Sequence, residues 1–213
     1  MKHKNWILYE DFADKSLNEN LEWRCEPKKW FIDTKSSQLV LETDQETDYW
    51  QKTHYGFEVD NGHFLFTKTN KNFRMTTRVK AIPKSKYDQA GLMIRFSEEV
   101  WVKTSLEYIP DGLSKLGAVV TNKGYSDWST QYVDCEEVQI YYRISKIGQN
   151  CYVDFSWDGE VWNQIRIAHL DVAENSTILA GVYACSPQGR EQEVRFDFIT
   201  IEELNNDPAT AYL

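Results

Sequence analysis

What this 213-residue chain lacks narrows its chemistry before any motif is read. No apolar run approaches the roughly 18 residues of a spanning helix, and the opening MKHKNWILYE carries no signal-like apolar core, so a cytoplasmic protein is expected. Cys25, Cys135, Cys151 and Cys185 stand far apart with no CxxC pair, which excludes a zinc knuckle and fits reduced, mostly buried thiols. Lys and Arg number 24 against 33 Asp and Glu, for a net charge of -9, and the basic residues are scattered. A basic footprint is therefore missing, so neither nucleic acid nor an anionic membrane is an expected partner; neutral ligands or basic protein patches fit better. Glycine-rich phosphate loops, a Ser/His/Asp order and HExxH are all absent, so no cofactor is expected. Oxygen-rich stretches around Asp44, Asp48 and Asp127 could offer calcium ligands, but none has EF-hand spacing, and no metal is assigned. Also absent is any long window with the 3.6-residue period of an amphipathic helix.

What is present is aromatic and alternating. Rings make up 14% of the chain, with Trp 8 and Tyr 12, enough either to fill a sandwich core or to furnish a binding face. Short strand-like runs recur between Gly, Asp, Asn and Pro. They include 7–12, 21–23, 30–32, 38–42, 62–67 and 73–81, then 138–144, 151–157, 161–167, 178–185 and 194–201. Asp158-Gly159 between two of them is a strong hairpin signal. Roughly a dozen strands without a helix predict an all-β fold of two stacked antiparallel sheets. With no repeat or linker, residues 1–203 read as one domain, and the polar tail 204–213 is expected to be loosely held.

The most informative stretch is Tyr87–Ser129. Ala90, Leu92, Ile94 and Phe96 form one apolar phase, and Val100, Val102, Thr104 and Leu106 match it across Ser97-Glu98-Glu99. A three-residue loop keeps both sets on one face. A second turn around Pro110-Asp111-Gly112 adds Leu116, Ala118 and Val120. This register puts four cross-strand rows on the opposite face: Gln89, Glu107 and Lys115; Gly91, Ser105 and Gly117; Met93, Lys103 and Val119; Arg95, Trp101 and Thr121. The second row predicts a groove floor of small residues, flanked by groups that hydrogen-bond or stack. Sugars need such a surface, because their hydroxyls want donors and acceptors and their C–H faces want rings. The plain alternative is that Arg95, Lys103 and Glu107 make ordinary surface ion pairs and the glycines mark sheet curvature.

Other motifs are weaker. Glu42-Thr43-Asp44-Gln45-Glu46 has the acid spacing of retaining glucanases, whose two carboxyls lie about 5 Å apart. Its intervening residues are polar where a strand on a core needs apolar ones, so it reads as a strand end and acidic loop. Asp48, Trp50, His54 and Tyr55 make a ring-rich polar loop that could rim the groove, and Ser126-Asp127-Trp128-Ser129 reads as a turn.

With these residues in view, the chain resembles the regulation-of-enolase-protein family. The resemblance rests on Asp48-Tyr49-Trp50 with Tyr55-Gly56, Asp60-Asn61-Gly62-His63-Phe64 and 88–95 as DQAGLMIR. It continues through Trp101-Val102-Lys103, Glu107-Tyr108, Val119-Val120-Thr121, Ser126-Asp127-Trp128-Ser129 and Ala184-Cys185-Ser186-Pro187. It implies a concanavalin A-like jelly-roll sandwich and transfers no catalytic residues. The expected function is non-catalytic binding of a small polar, carbohydrate-like ligand on a concave sheet face. Gln89, Arg95, Lys103 and Glu107 would hydrogen-bond it, Trp50 and Trp101 would stack on it, and Gly91, Ser105 and Gly117 would form the floor. Two alternatives stay open: a glycoside-active enzyme using Glu107 as one carboxyl, and a regulatory protein acting on a protein partner through the sheet face.

Overall fold

The alternating runs pair into two large antiparallel sheets in the computed structural model, which describes residues 4–134, 138–173 and 175–212. The first sheet holds β1 (Trp6–Glu10), β3 (Lys29–Asp33), β4 (Gln38–Glu42), β8 (Phe73–Ile82), β13 (Val138–Ile147), β14 (Asn150–Ser156), β15 (Asn163–His169) and β17 (Glu193–Glu203). Its order is β15-β14-β13-β8-β17-β4-β3, with β1 beside β17. The second sheet holds β2 (Glu22–Arg24), β7 (His63–Thr69), β9 (Gln89–Arg95), β10 (Trp101–Glu107), β11 (Ser114–Asn122), β12 (Tyr125–Val133) and β16 (Ile178–Cys185). Its order is β12-β11-β10-β9-β16-β7-β2. A separate two-stranded hairpin, β5 (Tyr49–Gln51) and β6 (Glu58–Asp60), belongs to neither. The architecture is the expected jelly-roll sandwich. Among the described residues, no helix is long and apolar enough to cross a membrane.

Period-2 alternation decides which residues form the shared core. Leu41, Met75, Val79, Ile144, Phe196 and Ile201 of the first sheet pack in one cluster with Leu65, Leu92, Ile94, Val102, Leu116 and Val182 of the second. Each such side chain contributes on the order of 1.5–3 kcal/mol by leaving water. The register expected for the three strands between Gln89 and Thr121 is found in every row. Trp101 lies opposite Arg95 and Thr121, Ser105 opposite Gly91 and Gly117, and Glu107 opposite Gln89 and Lys115.

The outer face of the second sheet differs from the usual solvated one. All of β9 and β10 is buried. Tyr49, Trp50, Phe64, Phe66, Met93, Trp101, Val119, Tyr183 and Cys185 make a second apolar cluster there, beneath the β5–β6 hairpin. Much of the ring content thus serves to seat a flap on a sheet.

One expectation is corrected. Ser126–Ser129 is no turn but part of strand β12; the reversal sits just before it, where Lys123 and Gly124 adopt positive φ of 52° and 73°. Near the C-terminal end, Pro208–Tyr212 form a 3-10 turn. Ala211 is buried beside Ile147 and Tyr152, Arg74 donates to the Thr210 carbonyl, and the Tyr152 and Tyr212 rings meet at 5.5 Å. Of the thiols, Cys151 and Cys185 are buried and Cys25 is exposed, while Cys135 lies outside the described residues.

Candidate functional site

Residues 43–62 read as an acidic, ring-rich loop, but backbone and ionic anchors make them a fixed flap. Thr47 donates its amide to the Ser186 carbonyl, and its hydroxyl accepts the Ser186 amide. Buried His63 accepts the Asp44 amide at Nε2, so its proton sits on Nδ1 and goes to the Cys25 carbonyl. Burial lowers its pKa, which keeps the ring neutral in that role. Tyr49 donates its hydroxyl to the Gly62 carbonyl, and Ser126 accepts the Gln51 amide from across the sheet.

The strongest anchor is ionic. Arg95 makes a bidentate pair with Asp60 of β6 at 2.6 and 2.7 Å, and Arg24 reaches the same carboxylate at 2.6 Å. The Arg95 side chain is 7% exposed. Trp101 is fully buried, packs on Tyr49 at 6.2 Å between ring centroids and donates to the Glu98 carbonyl. Two of the six expected ligand-binding residues are therefore covered by the flap. Arg95 and Trp101 hold the hairpin down, and neither reaches open space.

The other four come together. A cleft of about 730 Å³ opens between the flap and the sheet, and Trp50, Gln89, Lys103 and Glu107 line it. Asp48, Tyr55, Phe57, Asn61, Tyr87 and Trp128 complete most of its wall. Lys103, 2% exposed along its side chain, donates to Gln89 Oε1 at 2.8 Å and to Asp48 Oδ1 at 3.4 Å. Gln89 returns its amide to the Tyr87 carbonyl at 3.2 Å. Opposite this polar floor stand rings: Trp50 meets Tyr55 edge-on at 5.3 Å and Trp128 at 6.4 Å, and Tyr55 stacks on Phe57 at 5.9 Å.

Glu107 stands apart from its neighbours. It is 8% exposed and faces the cleft, yet no donor among the described residues hydrogen-bonds its carboxyl. Burial pushes this carboxyl up to about 7; Asp48 adds to the rise, while Lys103 and Lys115 oppose it. Lys103 thus bonds to Asp48 and acts on Glu107 only through its charge.

The expected floor is not open. Tyr183 of β16 lies opposite Gly91. Its hydroxyl reaches Ser105 Oγ at 2.8 Å and Gln89 Oε1 at 3.1 Å, so the phenol crosses β9 where Gly91 has no side chain. The glycines also answer to the sheet itself. A Cβ on Gly91 would stand 2.0 Å from the Thr104 carbonyl oxygen, and one on Gly117 2.0 Å from that of Ser129. Sheet geometry accounts for both, as the curvature reading of the sequence allowed. Gly91, Ser105 and Gly117 therefore underlie a row that Tyr183 enters, and the cleft is lined from the rows on either side, by Gln89 and Glu107 and by Lys103.

Trp128 was the missed ring with a usable signal. It sits opposite Val119, so extending the Met93–Lys103–Val119 row by one more strand would have found it. Phe57 and Asn61 had no such signal, because the flap's placement depends on Asp60 finding Arg95. The oxygen-rich stretches hold their acids in pairs: Asp44 with Lys28, Asp48 with Lys103 and Asp127 with Arg166. Among the described residues, no three His, Cys, Asp or Glu side chains gather as a metal site.

Comparisons with known proteins agree with this fold. The chain is 35% identical over 174 residues to Regulation of enolase protein 1 of Saccharomyces cerevisiae, covering 82% of this chain and 85% of the relative. A crystal structure of a functionally unknown protein from Saccharomyces cerevisiae superposes with a TM-score of 0.79 at 32% identity, covering 87% of this chain and 97% of that one. A xylan beta-1,4-xylosidase from Bacillus halodurans shares the fold at a TM-score of 0.71 and 15% identity, over 92% of this chain. This chain spans only 39% of that enzyme's length, so the likeness concerns the sandwich alone. Residues 23–204 match the family described as protein of unknown function DUF1349, and the chain belongs to that family, together with the yeast regulation-of-enolase protein.

Proposed function

We propose that this protein binds a small carbohydrate-like ligand in the cleft between the β5–β6 flap and the second sheet, without transforming it. The observation that carries this reading is the division of the cleft into a polar floor and an aromatic wall. Lys103, Gln89 and Glu107 would meet hydroxyls, and Trp50, Tyr55 and Trp128 would meet the C–H face of a ring. A volume of about 730 Å³ suits one or a few sugar rings, within the roughly 300–1,000 Å³ of ordinary ligand sites. The buried, pre-anchored floor also limits the ordering cost of binding. Calorimetry against neutral sugars, amino sugars and sugar phosphates tests it. At least one class should bind, and Trp50→Ala should weaken that binding by roughly tenfold or more, about 1.4 kcal/mol. No binding across the panel, or binding indifferent to Trp50→Ala in a folded variant, would refute it.

A catalytic reading gains one specific observation. Asp48 supplies the second carboxyl beside Glu107 that the sequence left unidentified, and burial keeps Glu107 protonated to higher pH. Separated carboxyl environments are what acid–base hydrolysis of glycosides requires. Release of nitrophenol from aryl glycosides by the wild type but not by Glu107→Gln would favour this reading over pure binding.

A further inference from the structure

We propose that the ligand of this cleft carries a positive charge, an amino sugar or similar small ammonium-bearing polyol, with its ammonium received by Glu107. This rests on the reading of the cleft as a carbohydrate-type site and specifies the ligand's charge. Three features of the cleft support it.

The first is charge count. Asp48 and Glu107, with exposed Glu46 at the rim, line the cleft with Lys103, while Lys115 stands behind Glu107 over the Trp128 ring, in a protein of net charge -9. Lys103 is already bonded to Gln89 and Asp48, so it acts on Glu107 through its charge and gives it no hydrogen bond. With a neutral hydroxyl beside it Glu107 gains nothing by ionising and keeps its proton up to about pH 7, whereas an ammonium supplies the counter-charge that lets it ionise. An anionic sugar phosphate would bring more negative charge to the cleft.

The second is the free carboxyl. Glu107 is more than nine-tenths buried, faces the cleft and has no donor among the described residues. Its oxygens open on the cleft, so a partner for the ionised carboxyl comes from what enters that space. The third is the wall. Trp50 and Tyr55 line the same space, and aromatic faces attract a cation as well as a sugar C–H surface, as Lys115 over the Trp128 ring at 4.7 Å illustrates.

Protonation follows the same logic. The charged groups acting on Glu107 are Lys103 on its own strand, Asp48 on the flap and Lys115 on β11; Tyr183 and Cys185 of β16 lie within its field, and Glu46 lines the rim. In the empty cleft Glu107 is raised to about 7, so an arriving ammonium draws the carboxyl into its ionised form and a proton is released.

Calorimetry at pH 6.5 with glucosamine, glucose and N-acetylglucosamine decides the matter, because these share a ring and differ in charge. A charge-assisted contact predicts glucosamine binding on the order of tenfold tighter than either neutral sugar. The advantage should shrink in 0.5 M salt, and Glu107→Gln should bring the ratio towards one. Equal binding of glucose and glucosamine would overturn this inference and leave sugar binding standing, as would tighter binding of glucose 6-phosphate. Binding of tetramethylammonium with no response to any sugar would uphold the cationic site and sink the carbohydrate reading. The wild-type ratios decide the matter even if the variant were not to fold.

Discussion

Replacing Glu107 by Gln is expected to stabilise the ligand-free protein at pH 8 and to leave it nearly unchanged at pH 4.5. The carboxyl goes from its ordinary 4.5 to about 7 in the fold, chiefly because burial disfavours the charged form. At about 1.36 kcal/mol per pH unit, that gap corresponds to about 3 kcal/mol. The sign follows from proton counting. Between pH 4.5 and 7 the folded state holds the proton and the unfolded chain has lost it, so rising pH favours unfolding. The favourable contribution is therefore full below 4.5, falls steadily towards 7 and is flat beyond. Glutamine has nearly the shape of the protonated acid and does not titrate, so the variant lacks this slope. Urea unfolding of both proteins at half-unit steps from pH 4 to 8.5 gives the difference curve directly. It should start near zero, climb through pH 5 and 6, and level off near pH 7 at about 3 kcal/mol in favour of the variant. A curve flat within about 0.5 kcal/mol, or a variant less stable at pH 8, would show that Glu107 is ionised and well partnered in the fold. That outcome would also remove the free carboxyl on which the cationic-ligand proposal stands.

Two further outcomes test the scaffold of the site. Asp60→Asn leaves the buried Arg95 guanidinium without its bidentate counter-charge, so urea unfolding should show a loss of about 3 kcal/mol. Amide exchange across residues 49–60 should accelerate more than exchange in β9 or β10; unchanged flap exchange would mean that the apolar cluster alone seats the hairpin. Gly117→Ala places a methyl 2.0 Å from the Ser129 carbonyl oxygen and should cost about 2 kcal/mol of stability, whatever ligand is present. A neutral result would return that glycine to the role of groove floor.

Local pattern alone specifies more of this molecule than is usual for a β protein, because a period of two leaves little freedom once one face must be buried. The three-residue loop after Phe96 and the alternation of Ala90–Ile94, Val102–Leu106 and Leu116–Val120 set the register of β9, β10 and β11. That register places Gln89, Lys103 and Glu107 on one face before any coordinates are known. What lies over that face is decided by pairings between residues distant in sequence. Tyr183 fills the row above Gly91 because β16 docks beside β9, more than eighty residues later in the chain. Arg95 and Trp101 have the residue types of a binding face, but Asp60 and Tyr49 reach them first and turn them into the seat of the flap. The strand pattern could not anticipate this, since hydrophobic alternation records which side is buried and carries no information about what buries it. Composition and alternation determined the sandwich, its strand register and the polar row. The folding of residues 43–62 onto that face decided which members are covered, which face the cleft, and that Glu107 is left buried with no hydrogen-bond donor among the described residues.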